Sequence, residues 1–142
     1  MMAYSIGQVA KKTGLTTHTL RYYEKEGLLP FVRKTGSGLR VFSDNDIGWL
    51  DIIECLKGVG MPLKDIKQYI DWFIEGDSTL PQRLEMFQQQ RAHLEAQMEQ
   101  LKKHMAKINY KIHLYTEAVR VGSLEKAHAS KELIDEQKKV YG

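Results

Sequence analysis

The chain has 142 residues, 42% of them hydrophobic, and one cysteine: enough apolar content for a core, too few thiols for a disulfide framework or a multi-cysteine metal site within one chain. No apolar run approaches the about 20 residues of a membrane span, and Met1-Met2-Ala3-Tyr4-Ser5 lacks the charged-then-apolar plan of a signal peptide, so a soluble, cytoplasmic protein with no membrane partner is expected. The net charge of +3 is uneven: residues 1–42 hold Lys11, Lys12, Arg21, Lys25, Arg33, Lys34 and Arg40 against Glu24 and Glu26, whereas the rest holds 14 basic and 16 acidic residues, which points to an N-terminal surface for a polyanion.

Ser5-Ile6-Gly7-Gln8 reads as a capping box, with Ile6, Val9 and Ala10 forming the apolar face of a short helix. Gly14 is a left-handed stop. Thr16 or Thr17 caps a second helix over His18 to Lys25, which Gly27 ends and Pro30 prevents from resuming. Two short helices joined through a glycine are the helix-turn-helix plan. Residues 31–42 differ, with β-prone runs on either side of Gly36-Ser37-Gly38. They predict a small hairpin with basic residues on both arms, and directly after a helix pair that hairpin is expected to be a DNA-contacting wing.

Ser43-Asp44-Asn45-Asp46 opens a third helix, with acidic residues where the helix dipole favours them. Gly58 and Gly60 end it. Pro62 opens a fourth, whose apolar stripe is Leu63, Ile66, Ile70, Phe73 and Ile74, and Gly76 stops it. A Thr-x-x-Gln cap at Thr79 then precedes Leu80, Leu84, Phe87, Arg91, Leu94, Met98, Leu101, Met105, Ile108, Ile112, Tyr115 and Val119. The spacing alternates four and three without a break, which is the seam of a left-handed coiled coil. Only Arg91 interrupts its apolar character. About forty residues at 1.5 Å make a rod of roughly 60 Å, too long to hide its stripe in so small a protein. No other long helix is left in the chain, so a second copy is the expected partner. The pattern itself is compatible with either strand polarity. After Gly122 the remaining residues are polar and mixed in charge, a short helix or a tail.

The expected fold is therefore mostly α: a winged helix-turn-helix over residues 1–76, a dimerising coiled-coil helix over 79–119, and a C-terminal tail or helix over 120–142. No catalytic constellation accompanies it. His18, His93, His104, His113 and His128 are scattered, and none lies one helical turn from another, so no metal site and no cofactor are expected.

The chemistry lies in the second helix. Thr17, His18, Arg21, Tyr22 and Tyr23 offer hydroxyls, an imidazole and a guanidinium suited to phosphates and base edges. Leu20 is expected to point inward, and one tyrosine of the adjacent pair is commonly core. Lys34 and Arg40 supply the charge of the hairpin.

Ser5-Ile6-Gly7-Gln8-Val9-Ala10, Leu20-Arg21-Tyr22-Tyr23-Glu24, Gly27-Leu28-Leu29 and Gly38-Leu39-Arg40-Val41-Phe42-Ser43 together closely resemble the MerR family of bacterial transcription regulators. The match continues through Leu56-Lys57-Gly58-Val59-Gly60-Met61-Pro62-Leu63 and covers roughly residues 4–119. The resemblance implies a homodimer with an antiparallel coiled coil. It implies binding to double-stranded promoter DNA with an overlong spacer, and a signal-dependent bend that realigns the promoter for RNA polymerase. It also implies DNA contacts from Arg21, Tyr22 and Tyr23, from Arg40 in the wing and from Lys57 at the end of the third helix. Phe42 stands where many relatives carry a tyrosine, and without the hydroxyl it is expected to pack.

Metal-sensing relatives carry several cysteines near the end of the coiled coil and drug-sensing relatives a large C-terminal domain; neither kind of sensing is expected here. The segment Leu50-Asp51-Ile52-Ile53-Glu54-Cys55-Leu56-Lys57 resembles the aldehyde- and thiol-stress subgroup typified by AdhR and NmlR. That resemblance implies that Cys55 reacts with electrophiles such as carbonyls. The other reading of Cys55 is a small buried hydrophobe, and no residue one turn away, Asp51, Ile52, Gly58 or Val59, is cationic. An architectural DNA-binding dimer without a signal, and a coiled-coil adaptor that never meets DNA, are the competing classes. An enzyme has the least support.

Overall fold

The computed structural model describes residues 3–142. The elements in order are β1 (Ala3–Tyr4), α1 (Ile6–Thr13), α2 (Thr17–Lys25), β2 (Arg33–Lys34), β3 (Arg40–Ser43), α3 (Asp44–Gly58) and α4 (Leu63–Glu75). A 3-10 turn (Asp77–Thr79) then leads into α5 (Leu80–Val121), α6 (Leu124–His128) and α7 (Lys131–Tyr141). Two compact units result, one reaching to Gln88 and the other starting at Gln89.

In the first unit the local signals act as their chemistry dictates. Ser5 Oγ accepts from the Gln8 amide and the Gln8 side chain accepts from the Ser5 amide, closing the capping box. Gly14 ends α1 at φ 75°, a left-handed conformation that costs glycine little. Thr16 caps α2 through the Thr19 amide. Ser43 and Asp46 form a second reciprocal box at the start of α3, which the acidic cluster signalled only as dipole compensation.

The hairpin forms as expected, with Arg33 opposite Val41 and Lys34 opposite Arg40. The sheet also has a third strand. β1 pairs antiparallel with β3, Ala3 with Ser43 and Tyr4 with Phe42, giving the order β1-β3-β2. Two residues are too few to show alternation. β1 exists because β3 offers a free edge, and the Tyr4 hydroxyl donates to Asp44 at 2.8 Å across the junction.

Val9, Leu20, Tyr23, Leu28, Phe42, Leu50, Ile53, Ile66 and Ile70 form the fully buried centre of this unit. Phe42 thus packs, as its missing hydroxyl implies. The stripe of α4 is buried only through Ile66 and Ile70, while Phe73 and Ile74 are exposed. Thr79 departs from the expected cap. Buried in its turn, its hydroxyl donates to the carbonyls of Trp72 and Gly76 and accepts from Arg83 Nε, so it seals the end of α4.

The helix α5 is continuous through 42 residues. Ten large apolar side chains of its predicted seam, from Leu80 to Val119, are exposed in the single chain, among them Leu101 at 65% and Val119 at 84%. Phe87 is the exception, being half-buried with its ring edge-on to Tyr69, centroids 5.0 Å apart.

The C-terminal segment forms two helices, α6 and α7, where one short helix or a tail is expected. Tyr110, Leu114, Ala127 and Leu133 form a second core, with Ala118 and Val140 against it. Tyr110 and Leu114 each follow a seam isoleucine by two positions, about 200° around the helix. The polypeptide of α6 and α7 therefore covers the back of α5 and leaves the seam open.

Candidate nucleic-acid interface

The helix α2 has nine residues and is too short to persist alone, so tertiary contacts decide which side it shows. Leu20 and Tyr23, three residues apart, turn into the core. His18, Arg21 and Tyr22 consequently face solvent, with Thr17 half-buried at the helix start. This is the face expected to carry base-reading and phosphate-binding groups.

Tyr23 needs a correction to its expected role. Its ring is fully buried, so it is not available for direct DNA contact in this conformation. Its hydroxyl accepts from Lys57 Nζ at 3.0 Å and donates to the Glu54 carboxylate, 3.2 and 3.3 Å from the two oxygens. Burial pushes the phenol above its ordinary pKa of 10.0; the Lys57 hydrogen bond works against that shift and the Glu54 charge adds to it. The hydrogen bond to Tyr23 in turn raises the Lys57 ammonium. Lys57 is exposed and keeps further N–H donors for an anion.

Next to Tyr23, Glu24 faces the hairpin. Arg40 donates to Glu24 from Nε, and Lys34 Nζ lies 3.4 Å from the other carboxylate oxygen. Lys57 of α3 and the predicted basic residues of the wing, Lys34 and Arg40, are thus tied to α2 through Tyr23 and Glu24. Glu24 is not among the residues expected at this interface; its place beside the inward-turning Tyr23 is the one sequence feature that points to it.

Cys55 is exposed on α3, which removes the expectation of a small buried hydrophobe in this chain. It sits in sequence between Glu54 and Lys57, the two residues that hold the Tyr23 hydroxyl. Among the described residues no cluster of three or more His, Cys, Asp or Glu could hold a metal, and no helix is long and apolar enough to cross a membrane.

Residues 4–71 match the family described as MerR HTH family regulatory protein, and residues 47–110 match MerR, DNA binding. An HTH-type transcriptional regulator of Haemophilus influenzae is 40% identical over 124 residues, 87% of this chain and 92% of that protein. The chain belongs to the MerR family. It is a DNA-binding transcriptional regulator, not an enzyme.

Within the MerR family it is also similar to AdhR of Bacillus subtilis, 40% identical over 90 residues, 63% of this chain and 64% of AdhR. Among solved structures, HiNmlR, a MerR family regulator lacking the sensor domain and bound to promoter DNA, superposes with a TM-score of 0.83 at 39% identity. The match covers 91% of this chain and 98% of HiNmlR. A MerR regulator from Bacillus thuringiensis gives a TM-score of 0.72 at 45% identity, covering 78% of this chain and 97% of that one.

The Tyr23 linkage has a definite sign. A group whose pKa is raised on folding contributes stability that is complete below its unfolded value, 10.0, and is lost as pH rises through the folded value. Tyr23→Phe removes that titration. Urea unfolding followed between neutral and strongly alkaline pH is expected to show a steeper alkaline loss in the natural protein than in Tyr23→Phe. Parallel curves would mean the buried hydroxyl does not titrate with unfolding.

Proposed function

We propose that this MerR regulator acts in the cytoplasm as a homodimer on promoter DNA and responds to electrophiles through Cys55. In this reading residues 1–76 read DNA, residues 79–119 pair two copies, and residues 120–142 brace the pairing helix. The observation that carries the DNA part is the outward face of His18, Arg21 and Tyr22 beside a wing bearing Lys34 and Arg40. The similarity to HiNmlR bound to promoter DNA supports it. Thr17 at the start of α2 and Lys57 on α3 complete the proposed contacts, and Tyr23 acts by holding α2 in place.

Pairing is supported by the seam of Leu84, Phe87, Leu94, Met98, Leu101, Met105, Ile108 and Ile112, exposed in the single chain except at the half-buried Phe87. Burying one such side chain fully is worth about 1.5–3 kcal/mol, so ten exposed ones are a strong drive to associate. An in-register parallel pair would set Arg91 against its own copy. The antiparallel arrangement removes that repulsion, because Arg91, fourth in the stripe, then meets the fourth position from the other end, Ile108 of the partner subunit.

RNA polymerase is engaged indirectly: the dimer bends and untwists an overlong spacer so that the promoter elements align. The signal enters at the only thiol. The thiolate forms a bond to an electrophilic carbonyl carbon, the carbonyl electron pair moves to oxygen, and the oxygen takes a proton. With Cys55 exposed, the adduct lies on the surface of α3 and not inside the packing of α3 on α4. It acts on the neighbouring Glu54, and through the Glu54 hydrogen bond on Tyr23 and α2.

A second reading, a dimer that binds DNA without a signal, is favoured by the lack of any cation one turn from Cys55. Cys55→Ser separates the two. It is expected to keep DNA binding and to lose aldehyde-induced transcription, with mass spectrometry placing the adduct on Cys55 in the natural protein. Normal induction of the Ser variant would move the signal elsewhere.

Arg21→Ala is expected to weaken binding to the cognate duplex by about 1–3 kcal/mol. Arg40→Ala is expected to weaken binding to cognate and random duplexes alike, lowering the salt slope by about one. Unchanged affinity of both variants in a salt titration would remove the interface from this surface. Leu101→Asp places an unpaired charge in the seam and is expected to abolish the dimer and, with it, tight DNA binding. Sedimentation showing an intact dimer would refute the seam.

A further inference from the structure

Glu24 is an acidic residue set among the cations of the proposed interface. Its two carboxylate oxygens are used separately, one by Arg40 Nε and one by Lys34 Nζ. Lys34 and Arg40 are themselves paired across the hairpin, on β2 and β3. One carboxylate of the recognition helix therefore holds both arms of the wing. The Glu24 side chain is only 19% exposed and that of Arg40 28%, so this is a constrained pair and not a loose surface contact.

On charge alone the arrangement is unfavourable for DNA. A carboxylate cancels half the charge of the two cations and reduces the counterion release they supply. Geometry offers the compensation. A guanidinium is a rigid planar fork of N–H donors. With Nε committed to Glu24, its plane is set, and among the described residues no acceptor takes either terminal amino group, which leaves both for a phosphate. A phosphate meeting that fork loses less side-chain entropy than one meeting a free arginine.

We infer that Glu24 is a positioning residue for DNA binding: it ties the wing to α2 and orients Arg40 so that its terminal amino groups meet a backbone phosphate. The inference rests on the reading of α2 and the wing as the DNA interface.

The test pits position against charge. The full-length protein is titrated by fluorescence anisotropy against a duplex enriched by the natural protein from a random library. Glu24→Gln keeps the shape and removes the charge. Charge alone predicts tighter binding, whereas positioning predicts binding weaker by about three- to tenfold, the loss expected when a charge-assisted hydrogen bond becomes a neutral one. Arg40→Lys keeps the charge but cannot grip carboxylate and phosphate at once, and it is expected to weaken binding in the same direction. Because Glu24 acts largely through Arg40, Glu24→Gln is expected to cause a smaller loss in an Arg40→Ala background, where only the tie to Lys34 remains to be lost, a coupling that a general loss of stability would not produce. Equal or tighter binding by Glu24→Gln, natural affinity in Arg40→Lys, or an undiminished Glu24→Gln loss in the Arg40→Ala background overturns the inference. If Arg21→Ala and Arg40→Ala both bind normally, the interface itself is misplaced, a failure distinct from one confined to Glu24.

Discussion

A nine-residue helix cannot orient itself, and everything proposed for DNA recognition depends on how α2 is anchored. Leu20 and Tyr23 supply the anchor by burial, and the Tyr23 hydroxyl makes it specific. A phenol in the core must find hydrogen-bond partners or bear the desolvation cost. Glu54 and Lys57, three residues apart and so on one side of α3, provide them. The outward direction of His18, Arg21 and Tyr22 is the geometric consequence.

The wing is fixed by the same logic from the other side. β3 lies between β1 and β2, and its last residue, Ser43, caps α3. α3 is therefore tied at its start to the sheet and near its end to Tyr23. Glu24 adds a direct tie from α2 to both hairpin arms. The exposed Cys55 sits on this shared helix, one residue along the sequence from Glu54.

The second unit shows how one helix carries two apolar surfaces. Ile108 and Ile112 lie on the seam, while Tyr110 and Leu114 lie on the opposite side and receive α6 and α7. His113 reinforces the bracing through Glu136, at 2.7 Å. The C-terminal helices thus cover the back of α5, and Tyr141 at their end borders Ile108 and Ile112 of the seam, which stay exposed.

Much of this was legible in the residues. Signals confined to a few neighbours, such as the Ser5 box, the Gly14 stop and the unbroken four-three spacing of the seam, mark the helices wherever the chain goes, because caps, left-handed turns and apolar periodicity act locally. Tertiary contact alone decided the rest. β1 is a strand only because β3 lies beside it; Thr79 seals α4 because the turn brings it back to Trp72. Tyr22 and Tyr23 are chemically identical neighbours, and only the tertiary packing of α2 sends one into the core and the other to solvent. Glu24 sits among cations that its place in the sequence does not predict, since a carboxylate's partners are set by which strand folds against its helix.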